Sequence, residues 1–290
     1  DRLDQLKSTI STRISGQNFM ISVSTYKNNF PEVMDILKDM LTNSTFPQNE
    51  INKTVIEYNT YLEGQLKDPQ AIAQNELMRI SKPYPKESIF YTSTLQEEID
   101  GNKKVTREQI LNFYQNILGA NNGFGTVLGN VDAKVAAASL ESTFGKYNAK
   151  SKYTEIKPTY FETKKLDKNI ITPDKENAVA FGTESFKMDQ KNPDYPALVM
   201  ANEILGSGGF LSARLPMRLR EKEGISYGVG SFLSIPVSND VASWGYYAFL
   251  NPTKRDAVES AIKEEVSKAL KDGFTAEELA ANKKSYANIQ

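Results

Sequence analysis

The chain contains no histidine and no cysteine among its 290 residues. The first absence excludes imidazole general bases, Ser-His-Asp triads and histidine metal sites. The second excludes disulfides, thiol catalysis, cysteine-ligated zinc and iron–sulfur clusters, and it leaves the redox compartment open. A zinc hydrolase centre within this chain would have to be built from carboxylates alone, against the nitrogen and sulfur preference of the ion. No apolar run reaches the roughly 18 residues of a spanning helix, and the start, Asp1-Arg-Leu-Asp-Gln-Leu-Lys7, lacks the pattern of a signal peptide. Neither sign of charge dominates: 35 Lys and Arg face 36 Asp and Glu, for a net charge of −1. No global field therefore draws the chain to nucleic acid or to an anionic membrane, and neither is expected as a partner.

What is present is long enough for two domains, each with its own core. Ser15–Lys27 reads as a strand, and Phe30–Leu41 as a helix with Val33, Ile36, Leu37, Met40 and Leu41 on its apolar face. Phe46-Pro-Gln-Asn-Glu50-Ile then opens another helix. Near the other end the order recurs: a strand at Ser243–Leu250, a helix at Lys254–Leu270 with Val258, Ala261, Ile262 and Leu270 inward, then Phe274-Thr-Ala-Glu-Glu278-Leu. From Phe46 to Phe274 the offset is 228 residues, and the shared turn signature favours a duplication over chance. The first copy begins about fifteen residues into the chain and the second is followed by about a dozen, so the sequence reads as a window on a longer protein. Between the copies, polar residues 151–168 read as a linker, separating a unit at 1–150 from one at 169–290.

Within the first unit, Thr54–Leu66 and Ala71–Ile80 read as helices, Thr106 and Gln109 can form a capping box, and Gly125–Asp132 reads as a buried strand before a helix at Ala133–Phe144. In the second, Asn177–Glu184 reads as a strand and Asp194–Leu205 as a helix. The expected class is α+β: two tandem related units, each a mainly antiparallel sheet with helices packed on it, both truncated.

Two constellations invite chemistry. Leu205-Gly206-Ser207-Gly208-Gly209-Phe210 is glycine-rich but lacks a Lys-Ser/Thr ending and does not follow a strand, so it reads as a helix-ending loop rather than a phosphate cradle. Its backbone could still touch a peptide, which makes Gly206, Ser207, Gly208, Gly209 and Phe210 candidate substrate contacts. Arg220 precedes Tyr227 by seven residues across a helix-to-strand junction; such a pair is ordinarily a helix-end cation and a half-buried strand tyrosine. Glu57, Glu63 and Glu76 lie on helices without a histidine beside them and read as solvated faces. Trp244, Tyr246 and Tyr247 form an aromatic strand suited to packing.

The stretch Ser212-Ala-Arg-Leu-Pro-Met-Arg-Leu-Arg220-Glu-Lys-Glu-Gly-Ile-Ser-Tyr227-Gly-Val resembles a segment of the pitrilysin or insulinase-like zinc peptidases, the inverzincins, to which mitochondrial processing peptidase and insulin-degrading enzyme belong. Phe124-Gly-Thr-Val-Leu-Gly-Asn-Val-Asp132 is similar to the family's strand end, Leu140-Glu-Ser-Thr-Phe-Gly145 to its helix end, and Phe46-x-x-x-Glu50 and Phe274-x-x-x-Glu278 to its paired turns. The likeness covers essentially the whole chain. It implies clamshell halves around a chamber, one half carrying His-x-x-Glu-His and a later Glu that bind zinc, the other giving an arginine and a tyrosine to the substrate. Those residues correspond to Arg220 and Tyr227, donors to the peptide backbone and to the scissile carbonyl.

The zinc motif is absent: Leu198-Val-Met-Ala-Asn-Glu-Ile-Leu205 stands in the corresponding helix, and Glu57 falls near the family's distal zinc glutamate without histidines to complete a set. The resemblance therefore implies an inactive, substrate-binding half with no cofactor of its own, zinc in a partner half on the same or a separate polypeptide, and a peptide as substrate. A non-catalytic assembly subunit of the same fold is the alternative, and a small-ligand module using the glycine loop is a third reading. The Lys- and Asn-rich, cysteine-free composition is compatible with a bacterial periplasm or cell envelope and equally with the cytoplasm; of these, the envelope is the expectation.

Overall fold

The computed structural model describes residues 2–162, 165–172, 174–208 and 212–289. In chain order the elements are α1 (Arg2–Gln5), β1 (Thr9–Ser15), β2 (Asn18–Ser24), α2 (Phe30–Thr42), α3 (Gln48–Gln65), α4 (Pro69–Ser81), α5 (Leu95–Asn102), α6 (Arg107–Asn116), α7 (Ala133–Phe144), β3 (Ala178–Lys187), α8 (Tyr195–Asn202), α9 (Arg214–Pro216), β4 (Gly228–Ser234), β5 (Val241–Leu250), α10 (Arg255–Asp272) and α11 (Ala276–Ile289). The protein is a mixed helix and sheet fold with small antiparallel sheets. The order strand, helix, Phe-x-x-x-Glu turn, helix occurs as β2-α2-α3 and as β5-α10-α11.

Contacts divide the chain into two units: Asp1–Thr60 with Asp100–Ile156, and Tyr61–Ile99 with Lys157–Gln290. Residues 61–99, read from sequence as part of the first unit, group with the second. The reason is non-local packing. Tyr84 packs edge-on against Phe161 with ring centroids 4.8 Å apart, its hydroxyl accepts from the Thr159 amide at 2.7 Å, and Lys168 reaches Glu76 on α4 at 2.5 Å. Thr159, Phe161 and Lys168 of the expected linker are thus fastened to the second unit. Residues up to Ile156 stay with the first unit, where the Gln17 amide brackets the Ile156 backbone, donating to its carbonyl at 2.8 Å and accepting from its N–H at 3.1 Å.

In the first unit, β1 and β2 pair from Thr9↔Ser24 to Ser15↔Asn18. Helix α2 buries Phe30, Val33, Met34, Leu37 and Leu41, the i, i+3, i+4, i+7 stripe of a helix lying on a core. The stripe is rotated from the expected one: Met40 is exposed and Ile36 half-buried. The capping box forms, with the Thr106 hydroxyl accepting from the Gln109 N–H at 3.2 Å and the Gln109 side chain accepting from the Thr106 N–H at 2.8 Å. The strand expected at Gly125–Asp132 does not form; the segment has no ladder partners and bends over residues 129–131, Val127 and Val131 pack toward α2, and Phe124 and Leu128 are 98 % and 99 % exposed. Alternation places one set of side chains on the core, but without a neighbouring strand the other set meets solvent.

In the second unit the strand order is β3-β5-β4, antiparallel throughout. One face of this sheet carries the core of Leu205, Leu215, Leu219, Ala248, Val258 and Ile262, against which Trp244 and Tyr246 pack. Helix α10 contributes Val258, Ala261 and Ile262, whereas Leu270, expected inward, is exposed. Among the described residues no helix is long and apolar enough to cross a membrane.

Candidate functional site

The candidate residues lie between α8 and β4. Helix α8 continues past Asn202 as a wide, π-type turn over Glu203–Ser207, closed by the Gly208 N–H donating to the Glu203 carbonyl at 2.8 Å. Asn202 is buried, and its side-chain oxygen accepts from the Ser231 hydroxyl at 2.8 Å and the Trp244 indole N–H at 3.0 Å, which fastens this helix to the sheet. The wide turn presses its backbone against β4. A Cβ on Gly206 would lie 2.7 Å from the Ser231 nitrogen, so only glycine permits the approach. Gly206 is buried and Gly208 half-buried, while Ser207 is exposed and donates to Glu203 at 2.9 Å. The local geometry of the glycines is explained by packing. Gly209 and Phe210, the other two candidates of this loop, lie outside the described residues.

Arg220 sits on a second wide turn, Met217–Lys222, which follows α9 and is closed by the Glu223 N–H donating to the Arg218 carbonyl at 3.0 Å. Its side chain is 42 % exposed, with Nε 3.8 Å from Glu221. Leu219, fully buried beside it, anchors the turn from below. The chain reverses at Gly224, whose φ of +60° suits glycine, and the Leu219 carbonyl accepts N–H bonds from Ile225 at 2.9 Å and Ser226 at 3.2 Å. The buried Ser226 hydroxyl bonds the Phe249 carbonyl at 2.7 Å, and the Tyr227 N–H donates to the same carbonyl at 3.0 Å. Tyr227 thus leads into β4 half exposed, its hydroxyl donating to the side-chain oxygen of Asn177. The spacing of seven residues is thereby held by one carbonyl knot on Leu219 and by the edge of β5.

Two arginines that sequence reading passed over fix this segment from outside. Arg214 grips Glu278 through Nε at 2.6 Å and Nη2 at 2.7 Å, donates to the Gly273 carbonyl at 3.1 Å and stacks over Phe274 at 4.7 Å. Its guanidinium, with the Thr275 amide, holds the Glu278 carboxyl down at about 2 against the opposing effect of burial. Arg218 bonds Glu223 at 2.7 Å, Glu264 at 2.6 Å and Glu265 at 3.1 Å, and these carboxylates, Glu223 first, push its pKa above the ordinary arginine value. The signal for both was present as an i, i+4 arginine pair facing Glu264-Glu265 and the glutamate of the Phe-x-x-x-Glu turn. Nothing in the sequence pointed to Asn177.

The same residues test whether zinc would fit. Glu57 is exposed and 4.0 Å from Lys53, Glu76 is engaged by Lys168 and Arg79, and among the described residues no three His, Cys, Asp or Glu side chains converge on a metal position. With neither imidazole nor thiolate available, the donors present do not suit zinc.

The second unit is thus a helix-and-sheet domain that presents a part-exposed arginine and tyrosine, and among the described residues no metal-ligating cluster forms. The chain belongs to the peptidase M16 family: the family model described as "Peptidase M16 inactive domain" matches residues 104–286. It is 26 % identical over 253 residues to an uncharacterized zinc protease YmxG of Bacillus subtilis (strain 168), covering 86 % of this chain and 58 % of that protein. It is 28 % identical over 247 residues to an uncharacterized zinc protease of Rickettsia felis, covering 83 % and 55 % respectively. The chain therefore spans little more than half the length of these curated relatives. Among solved structures, the fold is shared with a peptidase M16 inactive domain from Pseudomonas fluorescens (TM-score 0.79, 19 % identity, 98 % of this chain and 67 % of that one). It is shared also with the periplasmic protease PqqL from Escherichia coli (TM-score 0.76, 17 % identity, 99 % and 31 %).

Proposed function

We propose that this chain is the substrate-binding, non-catalytic half of a zinc metallopeptidase, closing over a peptide held by a zinc-carrying half on the same polypeptide or on a partner subunit. The observation that carries the reading is the mounting of Arg220 and Tyr227: both are part-exposed donors, while the backbone beneath them is fixed by Leu219, Ser226 and the arginine clamps. A guanidinium and a phenol are both donors at neutral pH, so both can bond a peptide carbonyl and the negative charge that grows on it during attack by water. Rigid mounting of the backbone matters because no chain movement is then needed to bring these donors to the developing charge. The names of the curated relatives, both zinc proteases, support placing the zinc in the other half. An assembly subunit of the same fold has no use for such donors.

We infer further that the two copies of strand, helix and Phe-x-x-x-Glu turn descend from one duplicated unit, and that the protein works in a bacterial periplasm or cell envelope, which subcellular fractionation tests. For the functional reading, the test is turnover of peptides by the complete parent protease. Arg220→Ala and Tyr227→Phe should each lower kcat, by about 10²-fold for a lost charge-stabilising donor, with zinc content unchanged. Unchanged turnover in both variants would sink it.

A further inference from the structure

Tyr227 does not stand alone at the end of the sheet. Its hydroxyl donates to the side-chain oxygen of Asn177, the residue immediately before β3. The two backbones are tied to opposite sides of the same strand, β5: Ala178 pairs with Leu250, and Gly228 pairs with Phe249, whose carbonyl also accepts from the Tyr227 N–H at 3.0 Å. The Tyr227 side chain therefore crosses the end of β5 to meet Asn177. Both side chains are solvent-accessible, so neither is held by packing alone. A phenol has a single proton, and while Asn177 accepts it that proton is committed. An asparagine amide, unlike a carboxylate, also carries two N–H donors and reverses its role by a half-turn of its terminal torsion.

We propose that Asn177 is a positioning residue for Tyr227: it accepts the phenolic hydrogen bond in the free protein and, with its amide turned, donates to the phenol oxygen when Tyr227 directs its proton to a peptide carbonyl. No proton changes owner; two hydrogen bonds exchange partners. The N–H of Asn177 on the phenol oxygen polarises the O–H and strengthens its donation to the substrate, as chained hydrogen bonds do. This rests on the reading of Tyr227 as a substrate donor given above, and the experiment separates the two.

The experiment is a double-mutant cycle in the complete parent protease, with kcat and KM measured on an unstructured casein digest through newly formed amino termini, and with bound zinc and melting temperature recorded for each variant. Asn177→Ala should lower kcat about three- to ten-fold with KM little changed, the scale of one net hydrogen bond, and should add nothing in a Tyr227→Phe background. Asn177→Asp, the same shape but able only to accept when ionised, should lower kcat as well; it carries the cycle should the alanine variant fail to fold. Losses that multiply in the double variant, or an Asn177→Ala enzyme with wild-type kcat, overturn the role of Asn177 while leaving that of Tyr227 intact. A Tyr227→Phe enzyme with wild-type kcat overturns the donor reading itself, and the inference with it.

Discussion

At the scale of single residues, the site is an exposed pair mounted on a polar frame, and the frame can be tested apart from the pair. Glu278 is held at about 2 by Arg214, below its ordinary value near 4.5. A carboxyl depressed in the folded state stabilises it above the unfolded pKa, and that contribution fades as pH falls from about 4.5 through about 2. Because the ion pair is partly solvated, the contribution is discounted to about 1–2 kcal/mol. Glu278→Gln should therefore unfold more easily at pH 7, and the difference from wild type in urea melts should shrink toward pH 2; a difference constant across that window would deny the ion pair its role. Arg220 and Tyr227 were singled out through family resemblance, not chemistry, since neither residue type at that spacing is distinctive. Asn177 was invisible because its partner lies fifty residues along the chain, on the far side of a strand.

At the scale of elements, wide turns mark where the backbone is bent to purpose. Leu219 plugs the core beneath the turn that carries Arg220, and removing it should be felt twice. Leu219→Ala is expected to cost about 2–5 kcal/mol from lost burial and the cavity left behind, read as a lower denaturation midpoint in urea with unchanged slope. Gly206→Ala is expected to cost about 1–3 kcal/mol, because its methyl group would meet the Ser231 backbone nitrogen; a variant as stable as wild type would show that the approach relaxes freely. Helices were the readable part. The Thr106–Gln109 capping box and the helix at Ala133–Phe144 follow from local rules that act within one turn, and both form. Strands were less readable. β1 is mostly Thr and Ser and went unread, while β4, with two glycines, two serines and little apolar pattern, was read only as the strand side of the Arg220–Tyr227 junction, without bounds; pairing, not composition, makes them strands. Conversely, Gly125–Asp132 has the composition of a strand and no pairing partner. Two helices expected on either side of Thr54 are one, α3, because no proline or glycine falls near Thr54 to interrupt them, the one glycine, Gly64, lying in the last turn.

At the scale of the molecule, the α+β class was readable from alternating periodicities, whereas the grouping of residues was not. Residues 61–99 join the second unit through Tyr84, Phe161, Glu76 and Lys168, contacts that span about 75 to 92 residues of sequence and leave no local trace. Absence was as informative as presence. A chain without histidine or cysteine cannot assemble an ordinary zinc site, so membership in a family whose named relatives here are zinc proteases turns attention to what this half contributes instead. The answer we propose is Arg220 and Tyr227 on a clamped scaffold: binding and charge stabilisation by hydrogen-bond donors rather than by a metal.

The most direct measurement is zinc stoichiometry and peptide cleavage for the purified chain, with and without chelator, beside the complete parent protease. The account predicts no stoichiometric zinc and no chelator-sensitive cleavage by the chain alone, with both present in the parent. Stoichiometric zinc and chelator-sensitive cleavage by the isolated chain would contradict it.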